Sequence, residues 1–449
     1  MPFIDDNPAF RPRKKDEPRK NASLHLPGPE TSLSILGDDL YFAFLYRELQ
    51  EGNAFLDDRW PGFHALRMDE SCLPRCCMKS FAASFFGRRV NVQQAQREGM
   101  NLYVRSLREL NENLSRPERS SAGQTVLSIA ILTMCEYLTA TTGTGWVQHM
   151  LGMTEFFRLQ GFEIFKEPYI MWSFQIDRYS MILAAIAARS QTCLASEEWK
   201  TIPWEISGVK KDPVGYLVDL ASELPALYVK FKRYLKTTDA YAKAELNFSL
   251  EADFADLLQR MRDWHNKWER EVKPQVEEIP LSQAEQRKCG FATTLVFDKL
   301  AETGYTFVLY NTTVIILLEL WKTHRKAQMT LSTGTIPEGD VRRLPDIPAD
   351  ELTGQPNDEL PGISSSSLIY QARKAAFDIC RTIPLFIMPT GPWTHGVQMV
   401  IPIRMALIVF RQNGGSPQAA WLEECMHQIG GRQRGWEIGR YAMQEYGYS

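Results

Sequence analysis

The chain has 449 residues, 44% hydrophobic and 23% charged, which is enough for a large core and ordinary for a globular protein. Its formal net charge of −3 provides no global field toward nucleic acid or an anionic membrane. Eight cysteines, at 72, 76, 77, 135, 193, 289, 380 and 425, follow a polar opening without an apolar signal core. Reduced thiols in the nucleus or cytoplasm are therefore expected.

Residues 1–34 combine proline and charge without periodic apolar positions and are expected to form a disordered basic tail. Within it RPRKKDEPRK sets six Lys/Arg against two acids, which reads as a nuclear-import signal, a weak phosphate-binding arm or a solvated tail. GDDLYF then pairs Asp38 with Asp39. A magnesium-diphosphate motif would need a further carboxylate four positions on, where Phe42 and Ala43 stand. Acids favoured at a helix N-terminus explain the pair better.

Helical patterns follow one another from there. In GMNLYVRSLRELNENL the positions Met100, Tyr103, Leu107, Leu110 and Leu114 fall at steps of three and four, one apolar stripe on a helix. TVLSIAILTMCEYLTA (125–140) is apolar nearly all round and predicts a central helix. The segment 252–272 carries Phe254, Leu257, Leu258, Met261, Trp264 and Trp268. FVLYNTTVIILLELW (307–321) falls short of the ~20 residues that cross a bilayer and contains Asn311 and Glu319, so it reads as a core helix. Residues 326–367 hold five prolines and the run Ser364 to Ser367, and predict a long loop. Ile369, Ala372, Ala376, Ile379 and Ile383 then make another stripe, and MVIPIRMALIVF (399–410) a last core helix. No period-2 alternation bounded by hairpin turns stands out. Residues 35–449 are expected to form a single all-α domain.

Chemical signatures are sparse. The chain has no phosphate-loop, zinc-helix or nucleophile-elbow pattern, and TGTGW (142–146) reads as a turn. Cys72, Cys76 and Cys77 lie close together, but adjacent residues rarely point at one metal and the next cysteine is far along the chain. No metal and no cofactor are expected. Glu136 and His149 stand at matching offsets on either side of the TTGTG turn, so two antiparallel helices would bring them face to face. They could form a carboxylate-oriented general base, or a buried pair that fixes the hairpin. Without a nucleophile beside them the second reading is preferred. In GPWTHGVQM, Trp393 and His395 precede the last core helix, which carries Arg404. These three are the residues expected to touch a ligand in an apolar cavity between helices. With Glu136 and His149, His395 and Arg404 are also the catalytic candidates.

The order SFAASFFGRR, then LSIAILTMCEY, then GWVQHMLGMTEFFRLQG resembles the middle homology region of fungal-specific, Zn2Cys6-type transcription factors. Glu136, Tyr137, Trp146, His149, Gly152, Arg158 and Gly161 carry that resemblance. The later WLEECMHQIGGRQRGWEIGRYAMQEY looks like the family's final helices. The resemblance implies an all-α regulatory or effector-binding domain, with an apolar small molecule or a protein as partner and a homodimer as one arrangement. It does not bring the family's DNA reader, whose six clustered cysteines have no counterpart before Cys72. Sequence-specific DNA binding by this chain is therefore not expected. The alternative is an enzyme of fungal secondary metabolism, an isomerase or cyclase reusing the same helical scaffold.

Overall fold

The computed structural model describes residues 37–51, 68–69, 72–116, 121–272, 275–333, 364–387, 393–412, 416–431 and 436–443. Helix α1 (Gly37–Glu51) buries Tyr41 and Leu45 against α2 (Leu73–Arg89). A three-residue turn returns the chain as α3 (Gln93–Ser115), which lies along α2 at very close range. Gly99 allows this: a Cβ there would stand 2.7 Å from the Ser84 backbone nitrogen, while the Ser80 hydroxyl donates to the Gly99 carbonyl at 2.8 Å. The predicted α3 stripe turns inward at Tyr103 and Leu110, and Leu114 runs out to the surface.

Helix α4 (Ala122–Thr139) begins with a reciprocal cap between Ser121 and Gln124. It is buried on nearly every face, packed among α2, α3, α5 (Gly145–Gln160) and α6 (Pro168–Ala187). Phe174 of α6 meets Phe157 of α5 and Phe165 edge to face, and Trp199 of α7 (Glu197–Ser207) stands edge-on to Phe165. Helices α8 (Pro213–Ala221), α9 (Leu224–Lys236) and α10 (Ala240–Val272) lead to the second half of the molecule.

There the fold departs from a purely helical reading. Strands β1 (Val276–Pro280) and β2 (Thr293–Phe297) pair antiparallel, with α11 (Gln283–Cys289) between them. TTLVF has strand-forming residues, but the intervening helix removes the short turn by which a hairpin is recognised. The chain is nonetheless an all-α protein with this one small ribbon among the described residues.

Helix α12 (Tyr305–Thr333) is the centre of the second half, packed on α13 (Ser365–Phe386), α10 and α15 (Val400–Arg411). Its composition would suit a membrane, yet 72% of its most apolar window is buried inside the protein. Asn311, Thr312 and Thr313 satisfy themselves there by donating to carbonyls one turn back, at 3.0, 2.7 and 2.7 Å. The loop expected at 326–367 is narrower than its prolines suggested: α12 continues to Thr333, and α13 starts at Ser365 with Ser364 as its cap. All five prolines and residues 1–34 lie outside the described residues. Helices α14 (Trp393–Gln398), α16 (Pro417–Gly430) and α17 (Ile438–Met443) complete this half. The three apolar helices of the sequence thus fall into two packing centres, one on α4 and one on α12 with α15, inside one contiguous apolar cluster.

Candidate functional site

Glu136 and His149 are brought together, 1% and 4% exposed, on the consecutive helices α4 and α5. Their meeting point is a residue that the apolar stripe of α3 had concealed. The Tyr103 hydroxyl donates to Glu136 Oε1 at 2.5 Å and lies 3.0 Å from His149 Nε2. Having given its one proton to the carboxyl, the hydroxyl accepts from His149, which assigns the imidazole as the Nε2–H tautomer. Thr141, in the turn, donates a second short hydrogen bond to the same Glu136 oxygen. Sequence reading missed both Tyr103 and Thr141. The available signal was a tyrosine where leucine would have served the stripe.

The turn is built around the carboxyl. A Cβ on Gly145, the first residue of α5, would lie 2.3 Å from Glu136 Oε2 and 2.4 Å from Cδ. Only a glycine lets the carboxyl rest against the positive end of that helix. Burial pushes the Glu136 carboxyl up, and the Thr141 and Tyr103 hydroxyls with the backbone of Thr141 and Thr142 pull it back. Burial alone drives His149 down to about 4, so the ring is neutral at physiological pH. The Tyr103 hydroxyl is pushed far up by burial and by Glu136. Met153 and Phe157 lie fully buried on the same helix as His149. The trio is a buried polar hub tying α3, α4 and α5.

A second buried histidine is held differently. His324 of α12 is 0% exposed, with Nδ1 3.2 Å from Glu251 Oε1 on α10. Glu251 Oε2 also accepts from Trp321 Nε1 at 2.9 Å and from Arg325 at 2.8 Å. Burial raises the Glu251 carboxyl, but its bonds to His324, Arg325 and Trp321 and the arginine charge outweigh that and hold it at about 2. The rings of Tyr234, Phe231 and Phe254 enclose the imidazole at 4.9, 5.8 and 5.7 Å.

Of the remaining sequence candidates, Arg404 is brought into neither cluster. Arg404 is half-buried on α15 and donates to the Ala442 carbonyl at 3.1 Å, holding α17. Trp393 and His395 open α14, and their side chains lie outside the described residues. Of the cysteine trio, Cys77 is buried with its thiol pushed well up by desolvation, and Cys76 accepts from Ser106 at 3.4 Å. Asp38 and Asp39 fall in the first turn of α1.

The fungal specific transcription factor domain matches residues 74–326, more than half of the chain. The chain belongs to this family. Comparison with curated proteins and with solved structures found no match. Both buried polar clusters fall within the matched span, so the hub around Glu136 and His149 belongs to the fungal-specific transcription factor domain itself. Membership carries a regulatory, intracellular role.

Proposed function

We propose that this chain is a regulatory body that takes its input from an apolar small molecule or a partner protein and passes it on in the nucleus. The observation that carries the reading is the sealing of the Tyr103–Glu136–His149 hub. The most distinctive chemistry of the family-matched region is spent on tying three helices together. A neutral, enclosed histidine held by a tyrosine hydroxyl favours a protein that works by binding over one that works by turnover. Trp393, His395 and Arg404 are the residues proposed to touch a small-molecule input, and a homodimer is the proposed assembly. Duplex DNA is proposed to bind this chain only weakly and without sequence preference, through phosphate contacts that salt removes.

The test is a fusion of the full chain to a heterologous DNA-binding domain driving a reporter in a fungal host. Output should change with metabolic state. Trp393→Ala or His395→Ala should shift that response at unchanged Tm, whereas Tyr103→Phe should lower Tm first. Constant output in every growth condition would overturn the reading. So would turnover of a metabolite by the purified chain that Tyr103→Phe abolishes without loss of stability.

A further inference from the structure

Among the described residues the fold closes over two arginines and provides for them unequally. Arg178 of α6, 3% exposed, donates to Asp219 at 2.5 Å and to the Gly215 carbonyl at 2.8 Å. Arg373 of α13 is 8% exposed, and its Nε is shut off from solvent without an acceptor. Among the described residues no acid, carbonyl or aromatic face meets its guanidinium. Arg381, two turns further along the same helix, has two acids in reach, Glu278 at 2.6 Å and Asp378 at 3.6 Å. The elements packed most closely on α13 are α12, α15 and β2. Between them they carry one acid, Glu319 of α12, and it is already held by Lys322 at 2.8 Å and Gln412 at 2.7 Å.

The place of Arg373 on its helix shows how an outside group reaches it. Steps of four, three and four put Ser366, Tyr370, Arg373 and Phe377 on one face of α13. That face runs from open to closed. Ser366 is exposed, Tyr370 is half-buried, and Arg373 and Phe377 are buried. At the closed end Phe377 meets Phe410 of α15 edge-on at 5.1 Å, so the face is the seam between these two helices. Helical side chains lean toward the N-terminus of their helix, which for Arg373 is the open end of the seam. There Tyr370 supplies a hydroxyl one turn away, at a spacing that sets Cβ atoms roughly 5–6 Å apart.

We propose that the seam between α13 and α15 takes up a small monocarboxylate on the Arg373 guanidinium, with the Tyr370 hydroxyl as a second donor. Arginine, unlike lysine or histidine, does not shed its proton on burial, so the charge has to be met by an anion. A buried ion left without its partner is strongly unfavourable, and a carboxylate restores the pair with two oxygens that match the guanidinium fork. One cation balances one negative charge. Phosphate, with nearly two at neutral pH, exceeds what a single arginine offers. The site is separate from the proposed input at Trp393, His395 and Arg404: Arg404 stands six positions before Phe410 on α15 and is turned to the Ala442 carbonyl. The inference therefore goes beyond that reading and does not depend on it.

The experiment uses the purified full chain in carboxylate-free buffer at neutral pH and fixed ionic strength. Acetate and benzoate are compared with acetamide, benzamide and inorganic phosphate, by calorimetry and by Tm. At least one of the two acids should bind about ten-fold more tightly than its own amide, because the charge-assisted fork is open only to the acid. Arg373→Met keeps the stem and removes the charge. It should abolish that preference, match or exceed the wild-type Tm without carboxylate, and lose the rise in Tm that the acid gives the wild type. Arg373→Lys keeps the charge without the fork and should weaken binding several-fold, and Tyr370→Phe should weaken it while leaving the preference in place. Neither acid preferred over its amide, phosphate bound as tightly as the acids, or carboxylate affinity unchanged in Arg373→Met would overturn the proposal. So would an Arg373→Met chain less stable than the wild type in carboxylate-free buffer. The comparison of probes on the wild-type chain decides even where a variant does not fold. A reporter fusion with constant output would remove the regulatory reading and leave this site standing.

Discussion

The hub on α3–α5 and the cluster joining α10 to α12 use the same pair of residue types, a glutamate and a buried histidine, to opposite electrostatic ends. At Glu136 the partners are neutral hydroxyls, so desolvation prevails and the carboxyl is pushed up. At Glu251 an arginine and an indole N–H join the histidine, the carboxyl is partly exposed, and the balance falls the other way. What a Glu–His pair does is decided by the third partner, which comes from a third helix at Glu136 and from the histidine's own helix at Glu251.

The comparison can be broken at four points. The largest effect is expected from Trp321→Ala, which removes a fully buried indole stacked on Phe254 at 5.5 Å together with one of the donors to Glu251. Denaturant unfolding should register a loss of about 3–5 kcal/mol; less than about 1 kcal/mol would mean that this centre carries little of the fold. Gly145→Ala comes next. Its Cβ would collide with the Glu136 carboxyl, and overpacking of this kind should cost about 2–3 kcal/mol. Wild-type stability for that variant would show that the carboxyl does not need its place against α5.

Tyr103→Phe keeps the packing and removes only the bridging hydroxyl, for an expected loss of about 1–2 kcal/mol. Glu136→Gln combined with Tyr103→Phe should cost less than the sum of the two, since they share one bond.

The smallest effects are in pH dependence, and their signs differ. His149 and His265 are both held near 4 by burial, so the unfolded chain binds protons that the folded chain refuses between their ordinary value of 6.5 and about 4. Their contribution is present above 6.5 and lost as pH falls through that window. Asp177 and Asp378, raised to about 6, act oppositely from there down to the ordinary carboxyl range. His149→Gln with His265→Gln should therefore flatten the loss of Tm between pH 6.5 and 4. Glu251, held at about 2, contributes stability above 4.5 that disappears on further acidification, and Glu251→Gln should remove that lower slope. A Tm profile identical in both variants to that of the wild type would contradict the assignment.

The extent to which this was readable from residues follows their spacing. Helix identity was legible wherever apolar positions repeat, as on α3 and α13, because one buried stripe suffices to fix the period. The facing of Glu136 and His149 was legible because a short turn between two helices fixes their relative height. Tyr103 was not, since its role depends on how α3 is laid along α2, a close approach that Gly99 permits and periodicity does not encode. Glu251 and His324 lie 73 positions apart on helices that the sequence gives no reason to pair. The strand pair was hidden by the helix placed between its arms.

Arg88 of α2 pairs with Glu437, 349 positions away, and the Glu437 backbone N–H donates to the Leu138 carbonyl at the end of α4. Arg404 fastens the helix that follows. The Leu138 carbonyl of α4 is thus completed by a residue that leaves the ribosome long after α4 itself. Until then the first bundle is an unfinished body with its seam open, and chains of this size fold through such intermediates. Synthesis time should therefore enter the yield of this protein: a chain stalled before Trp436 should present α4's C-terminal turn to proteases that cannot reach it in the finished molecule.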